Sequence, residues 1–283
     1  MRTSAHKRQI FKYNAYKRAA QTALIASLII LAAVIIFVLW RGVPHVNTQL
    51  LFGEYSRRAP SLKPALVGTL YLVAISLAIA APIGIGSAVF MAEYTNSKSR
   101  LIRVIRIAVE TLAGIPSIVY GLFGYLVFVV ALGFKHSLLG GGITLAIMIL
   151  PVIVRSTEES LMSVPRSLRE GSFALGSSKV RTIFAVVLPC AASGIVTSLI
   201  LAIGRVVSES AVLILTIGMV VNIMPENITS AGTSLALNVY FFSQGYPEQA
   251  AATGVVLLVL VVIINILATA LGKVFGKGEL VDG

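Results

Sequence analysis

Six apolar segments, each long enough to cross a lipid bilayer, constrain this chain more than any other feature; they run near 20–40, 66–90, 108–133, 138–154, 187–219 and 250–272. A helix needs about 20 residues to cross about 30 Å of hydrocarbon. Only 12% of the 283 residues are charged, about half the share in a soluble domain, so the chain lacks the polar groups to clothe a water-facing surface. The pattern predicts an all-α integral membrane protein with six transmembrane helices, because a helix satisfies its backbone groups internally where no water can. The fifth segment is too long for one straight span. It predicts a bent or re-entrant piece around Ile217–Pro225, where Gly218 and Pro225 interrupt the apolar run. The first segment follows a basic amino terminus, but its 21 residues exceed a signal core and no small-residue cleavage site precedes Trp40, so it reads as a retained helix.

The net charge of +12 could suggest a nucleic-acid partner, yet the Lys and Arg residues lie between the apolar segments, where they orient a membrane protein instead. Residues 1–19, 91–107, 155–186 and 273–283 together carry seventeen basic side chains; 41–65, 134–137 and 220–249 carry five. That bias puts both termini in the cytoplasm. The chain then divides into a basic cytoplasmic amino terminus (1–19), a first helix with its external loop (20–64), a five-helix core (65–272) with a cytoplasmic loop at 155–186, and a cytoplasmic tail (273–283).

Gly84, Gly86, Gly114, Gly121 and Gly124 predict close helix approach inside the spans. Pro82, Pro116 and Pro151 predict kinks in three successive ones. The single cysteine, Cys190, excludes an intrachain disulfide, and His6, His45 and His136 are too scattered to suggest a metal site. No His-Glu-x-x-His, no Gly-x-Ser-x-Gly and no carboxylate pair within a span points to an enzyme. A self-contained ion-coupled carrier would show two related halves, and the loop at 155–189 has no second copy. The tail Gly272-Lys-Val-Phe-Gly-Lys-Gly278 lacks the spacing of a phosphate-binding loop, so energy has to come from another chain.

The cytoplasmic loop predicts two short helices broken at Pro165 and Gly176. Ser167 is set to cap the second, with Glu170 three residues on, and Gly176 to end it in a left-handed conformation. Glu170-Gly171-Ser172, then Gly176, then Leu188-Pro189 resembles the EAA motif of binding-protein-dependent ATP-binding-cassette importers, with Gly171 and Ser172 in place of two alanines. Four further stretches, Leu112–Gly124, Ser137–Ala146, Leu150–Glu159 and Ala202–Ala211, are similar to the phosphate-specific branch of that family, and to its A subunit more than its C subunit. Where that branch has Gly-Glu-Thr-Ala-Pro, this chain reads Ser208-Glu-Ser-Ala-Val212. The resemblance spans about residues 64–272.

It implies a type I importer permease fold in the inner membrane of a bacterial or archaeal cell. Glu170, Gly171, Ala174 and Gly176 would dock on a separate ATPase. The implied partners are a second, homologous permease, two copies of the ATP-binding subunit and an extracytoplasmic phosphate-binding protein. ATP and Mg would be bound by the ATPase, leaving this chain without a cofactor of its own. Phosphate, or another oxyanion of the same importer class, is the implied cargo, and Ser117, Arg205, Ser208 and Glu209 the implied pathway residues.

Arg205 and Glu209 stand four residues apart in the fifth span, hence on one helical face. A charge in hydrocarbon is costly enough to demand a partner or a water-filled cavity. Two readings are open. The pair neutralises itself as a tether, or Arg205 offers its planar fork to an anion while Glu209 holds the guanidinium or takes a proton. Glu110 could pair with Arg106 one turn earlier, and Glu158 and Glu159 read as a solvated face of the loop.

Overall fold

The computed structural model describes residues 2–56, 60–95 and 100–276; Arg57, Arg58, Lys98 and Lys277, four of the charges used for orientation, lie outside these together with the rest of the tail to Gly283. The described chain is built from helices: α1 (Arg2–Gly42), α2 (Thr48–Phe52), α3 (Lys63–Val89), α4 (Arg100–Ala113), α5 (Ser117–Gly124), α6 (Leu138–Ser163), α7 (Arg166–Ala174), α8 (Lys179–Thr182), α9 (Leu188–Val207), α10 (Ala211–Thr216), α11 (Leu235–Ser243) and α12 (Pro247–Gly276). Wider π-helical turns extend α3 through Phe90–Tyr94, extend α5 through Tyr125–Ala131, and join α8 to α9 at Ile183–Val187. Among the described residues five stretches are long and apolar enough to cross a membrane: Tyr16–His45, Lys63–Tyr94, Leu138–Ser163, Lys179–Val207 and Pro247–Gly272. A sixth crossing is made only if the bent pair α4 and α5 counts as one span.

The core sits around α6. Two thirds (67%) of its most apolar window is buried, against 33% for the next most enclosed span. Leu145, Ile149 and Ile153 of α6 are sealed by Leu72 and Ala80 of α3, Ala202 and Val206 of α9, and Val212 and Leu213 of α10. Lipid is as apolar as a leucine, so what holds such helices together is close packing, which small residues permit. A Cβ on Gly84 would lie 2.7 Å from Ile153 Cγ2, and one on Gly142 would lie 2.6 Å from Ile75 Cγ2. Gly121 and Gly124 are crowded too, whereas Gly86 faces open space and a Cβ on Gly114 would meet only carbonyl oxygens of its own segment. The close-approach reading therefore holds for three of the five glycines. Polar contacts add to the packing, including Thr157 Oγ1 at 3.4 Å from Ser198 Oγ and the Thr69 hydroxyl accepting from Leu235 N at 3.0 Å.

Three segments differ from the sequence expectation. The third is not one kinked span: α4 and α5 meet at 99° across Gly114–Pro116. Pro116 cannot donate an amide to the helix and drives Ile115 out of the helical region, so a full break replaces a kink. Pro82 and Pro151, in contrast, lie within continuous helices. The first part, α4, is strongly amphipathic, burying Ile102 against Met91 and Val154 while Arg103 and Val104 stay exposed. The fourth span runs on to Ser163, because Arg155–Ser163 holds no helix breaker and its buried Thr157 and Glu158 find partners in Ser198 and Arg106. The fifth breaks first at Ser208–Ser210, and the interruption expected around Ile217–Pro225 follows as irregular chain after Thr216, with Gly218 at φ +89°.

Candidate translocation and coupling sites

At the break in the fifth segment, α9 ends on Val207 and the chain passes through Ser208–Ser210 into α10. Serine and glutamate suit such a break, since their side chains offer the freed backbone an acceptor. Glu209 Oε1 accepts from Val212 N at 3.2 Å and so caps α10. It does not reach Arg205. Among the described residues no carboxylate lies within ion-pair distance of the Arg205 guanidinium, and the paired tether is not formed. Arg205 and Ser208 are exposed on the last turn of α9, with Leu201 exposed one turn before them. The negative end of the α9 dipole favours a cation there.

The break before α5 is brought against the same region. A Cβ on Gly121 of α5 would lie 3.0 Å from Val212 Cα of α10, so the two short helices touch backbone to backbone. Tyr120 is buried at that contact; its hydroxyl donates to Leu112 O at 2.7 Å, a carbonyl at the end of α4 that also accepts from Ile115 N at 3.1 Å. Ser117, half-buried, opens α5 one turn earlier. Two broken helices thus meet beside an exposed arginine. Broken backbone within a membrane protein occurs where it is buried by protein or lines a cavity. An unpaired guanidinium in that setting can offer a bidentate fork to an oxyanion.

At the other end of α9 lies α7. Its N-cap is Pro165, with φ −56° and ψ 139°, and no side-chain cap; Ser167 is already inside the helix and does not serve as one. A capping residue has to sit outside the helix, and Pro165 sets the start two residues earlier than a Ser167 cap requires. The far end is as expected. Gly176 adopts φ +78°, Ser177 N donates to Ser172 O at 3.2 Å, and Gly176 N donates to Phe173 O at 2.9 Å. That pair of bonds is the Schellman ending, which needs a left-handed residue at the glycine. Glu170, Gly171, Ala174 and Gly176 are all exposed, and a Cβ on either glycine would meet nothing within 4 Å. Leu168, Phe173 and Leu175 are exposed beside them, Leu175 to 88%. A projecting helix with bare small residues and three uncovered apolar side chains is a surface shaped to be covered.

The pattern of the family described as "Binding-protein-dependent transport system inner membrane component" matches residues 80–277. The chain belongs to that family. It is 34% identical over 274 residues to a probable ABC transporter permease protein, YqgI, of Bacillus subtilis, covering 90% of this chain and 92% of that protein. The phosphate transport system permease protein PstA of Yersinia pestis is 37% identical over 73% of this chain and 70% of its own length. PstA 1 of Mycobacterium tuberculosis is 42% identical, but over 54% of this chain and half (50%) of its own length. Among solved structures, the fold matches a bacterial alginate ABC transporter at a TM-score of 0.66, with 16% identity over 94% of this chain and 96% of that one. It also matches the inward-facing MetNI methionine ABC transporter at 0.61, with 21% identity over 78% and 99%. The fold is that of a type I importer permease.

Among the described residues of this permease, two partly buried ion pairs escape sequence reading. Arg106 does not pair with Glu110; its Nη2 donates to Glu158 Oε1 at 2.6 Å and its Nε to the same oxygen at 3.1 Å. Glu158, expected on a solvated face, is 8% exposed. Glu159 does remain exposed and pairs with Arg155 one turn away, at 3.1 Å. These groups and Glu110 surround a cavity of about 190 Å³ between α4 and α6. The second pair joins Arg169 of α7 to Glu93 of the π turn after α3, at 2.7 Å. Glu93 is one of only 11 acidic residues and stands where an apolar span meets a basic loop, a place where a lone carboxylate needs a cation.

Proposed function

We propose that this permease forms one half of the translocation path of an ATP-driven phosphate importer. The observation that carries the reading is α7: its motif positions are bare, its ending is fixed by Gly176, and its apolar side chains are uncovered. Such a surface suits docking on a separate ATPase, which would bind ATP and Mg and perform the hydrolysis, so this chain needs no cofactor and is no enzyme. Two copies of that ATPase, a second homologous permease and an extracytoplasmic phosphate-binding protein complete the assembly.

Phosphate is the cargo of choice for two reasons. Relatives carrying a phosphate transport name reach 37–42% identity, and Arg205 presents an unpaired fork at the end of α9, three residues before Ser208, where the break before α10 meets α5, the helix that Ser117 opens. Glu209, by capping α10, shapes the break that presents Arg205. The charge bias supports a cytoplasmic location for both termini, with α7 on the same side, in the membrane of a bacterial or archaeal cell. Purification in mild detergent, with the attached chains identified and the complex reconstituted for radiolabelled uptake, tests the reading. ATP-dependent phosphate uptake resisting a hundredfold excess of sulfate is expected. Equal competition by sulfate would shift the cargo to another oxyanion, and absence of any attached ATP-binding chain would overturn the coupling.

A further inference from the structure

Arg169 makes more contacts than an ion pair requires. Its Nε and Nη2 donate to Glu93 Oε1 at 3.1 and 2.7 Å, its Nη1 donates to Val164 O at 2.6 Å, and Nη2 also donates to Leu161 O at 2.8 Å. The two carbonyls belong to the end of α6, where the last turn of a helix leaves acceptors short of partners; Leu161 O also takes a long bond from Val164 N at 3.4 Å. One side chain of α7 therefore holds the ends of both α3 and α6. The side chains of Arg169 and Glu93 are 18% and 9% exposed, so water competes little for these bonds. The same π turn grips the loop beyond Gly176 as well, since Lys179 Nζ stands 5.0 Å from the centre of the Tyr94 ring. On its other flank α7 is tied to α8 by Ser172 Oγ and Thr182 Oγ1, 2.9 Å apart.

We propose that Arg169 is a positioning residue that clasps α7 to the ends of α3 and α6 through Glu93, Leu161 and Val164, so that any displacement of α7 is delivered into the core. The inference rests on the reading of α7 as the docking helix. The faces of α7 carrying Glu170, Gly171 and Ala174 are bare, so the helix can be pushed from outside only through what holds it from within. What receives the push is rigid: Gly84 of α3 lies against Ile153 of α6, and both helices share one core with Val206 and Val212, on either side of the break beside Arg205. The five guanidinium donors are fixed in one plane and serve three acceptors at once, which an ammonium cannot reproduce. The π turn at Phe90–Tyr94 gives α3 an irregular end of the kind often found where helices are asked to work.

Two measurements test the clasp in the full complex, using Glu93→Gln, Arg169→Lys and the exchanged pair Glu93→Arg with Arg169→Glu. The first is the distance distribution between spin labels at Leu175 and Ile83, with Cys190 replaced; it needs no transported anion. A narrow distribution in the parent and a broad one in both single variants is expected, and an unchanged width would overturn the clasp. The second is uptake per ATP hydrolysed at equal ATPase occupancy, expected to fall about two- to thirtyfold in the single variants and to recover in part in the exchanged pair. Broadened distances with parental uptake per ATP would overturn the positioning role. A parent that transports no phosphate would instead refute the proposed function, leaving the clasp to be decided by the distances.

Discussion

Arg106 and Glu158 form an asymmetric pair, and its asymmetry yields a quantitative expectation. The Arg106 side chain is 38% exposed and that of Glu158 only 10%. Breaking a fully buried pair by removing one partner costs about 3–5 kcal/mol, and a surface pair is worth about 0–1 kcal/mol. Arg106→Leu strands a carboxylate that water barely reaches, so the loss falls between these limits, about 2–3 kcal/mol. Glu158→Leu strands a guanidinium whose outer third is already wet, which hydration compensates to about 1 kcal/mol. Replacing both by leucine leaves no unpaired charge and keeps the loss to about 1 kcal/mol, a coupling of about 2–3 kcal/mol. The assay is the apparent unfolding midpoint of the detergent-solubilised permease, read by size exclusion after heating. At about 2–4 °C per kcal/mol for a chain near this size, Arg106→Leu lowers it by about 4–12 °C and Glu158→Leu by about 2–4 °C. Equal losses in the single variants, or additive losses in the double, would refute the argument from burial.

Gly176→Leu abolishes uptake while the protein remains inserted, because a β-carbon is strained at φ +78° and a bulky group fills the bare end of α7; phosphate-dependent ATPase stimulation by the reconstituted variant would contradict this. Arg205→Gln and Arg205→Lys both lose phosphate uptake at matched expression, the second because an ammonium lacks the bidentate fork. Adding Glu209→Gln to Arg205→Gln recovers nothing, since Glu209 caps α10 and holds no guanidinium; near-normal uptake by that double variant would restore the tether. Cysteines placed at Ser4 and Ser177 in a chain lacking Cys190 resist an impermeant thiol reagent in intact cells, whereas one at Asn227 reacts. Labelling at Ser177 without lysis would reverse the orientation.

The sequence by itself determined the class of molecule. Apolar runs of about 20 residues have one stable solution in lipid, and an exposed helix end such as Ser172–Ser177 is decided by its own glycine through local bonds. The EAA-like spacing from Glu170 to Pro189 was legible for the same reason, being a pattern along one short stretch of chain. Partner choice was not. Arg106 had Glu110 one turn away and took Glu158 instead, 52 residues on, and Arg169 took Glu93, 76 residues back. Both choices are made by how α3, α4 and α6 pack at one end of the bundle. The same holds for Arg205 and Glu209. Helical periodicity put them on one face, but periodicity assumes that the helix continues, and a break at Ser208–Ser210 sent the carboxylate to the α10 backbone. Proline content marked three possible kinks without ranking them; in the packed structure Pro116 lies at a 99° break whose second helix, α5, rests on α10, and Pro82 and Pro151 lie inside continuous helices. Long-range pairing depends on which surfaces meet, and that is a property of the packed helices and not of any segment alone.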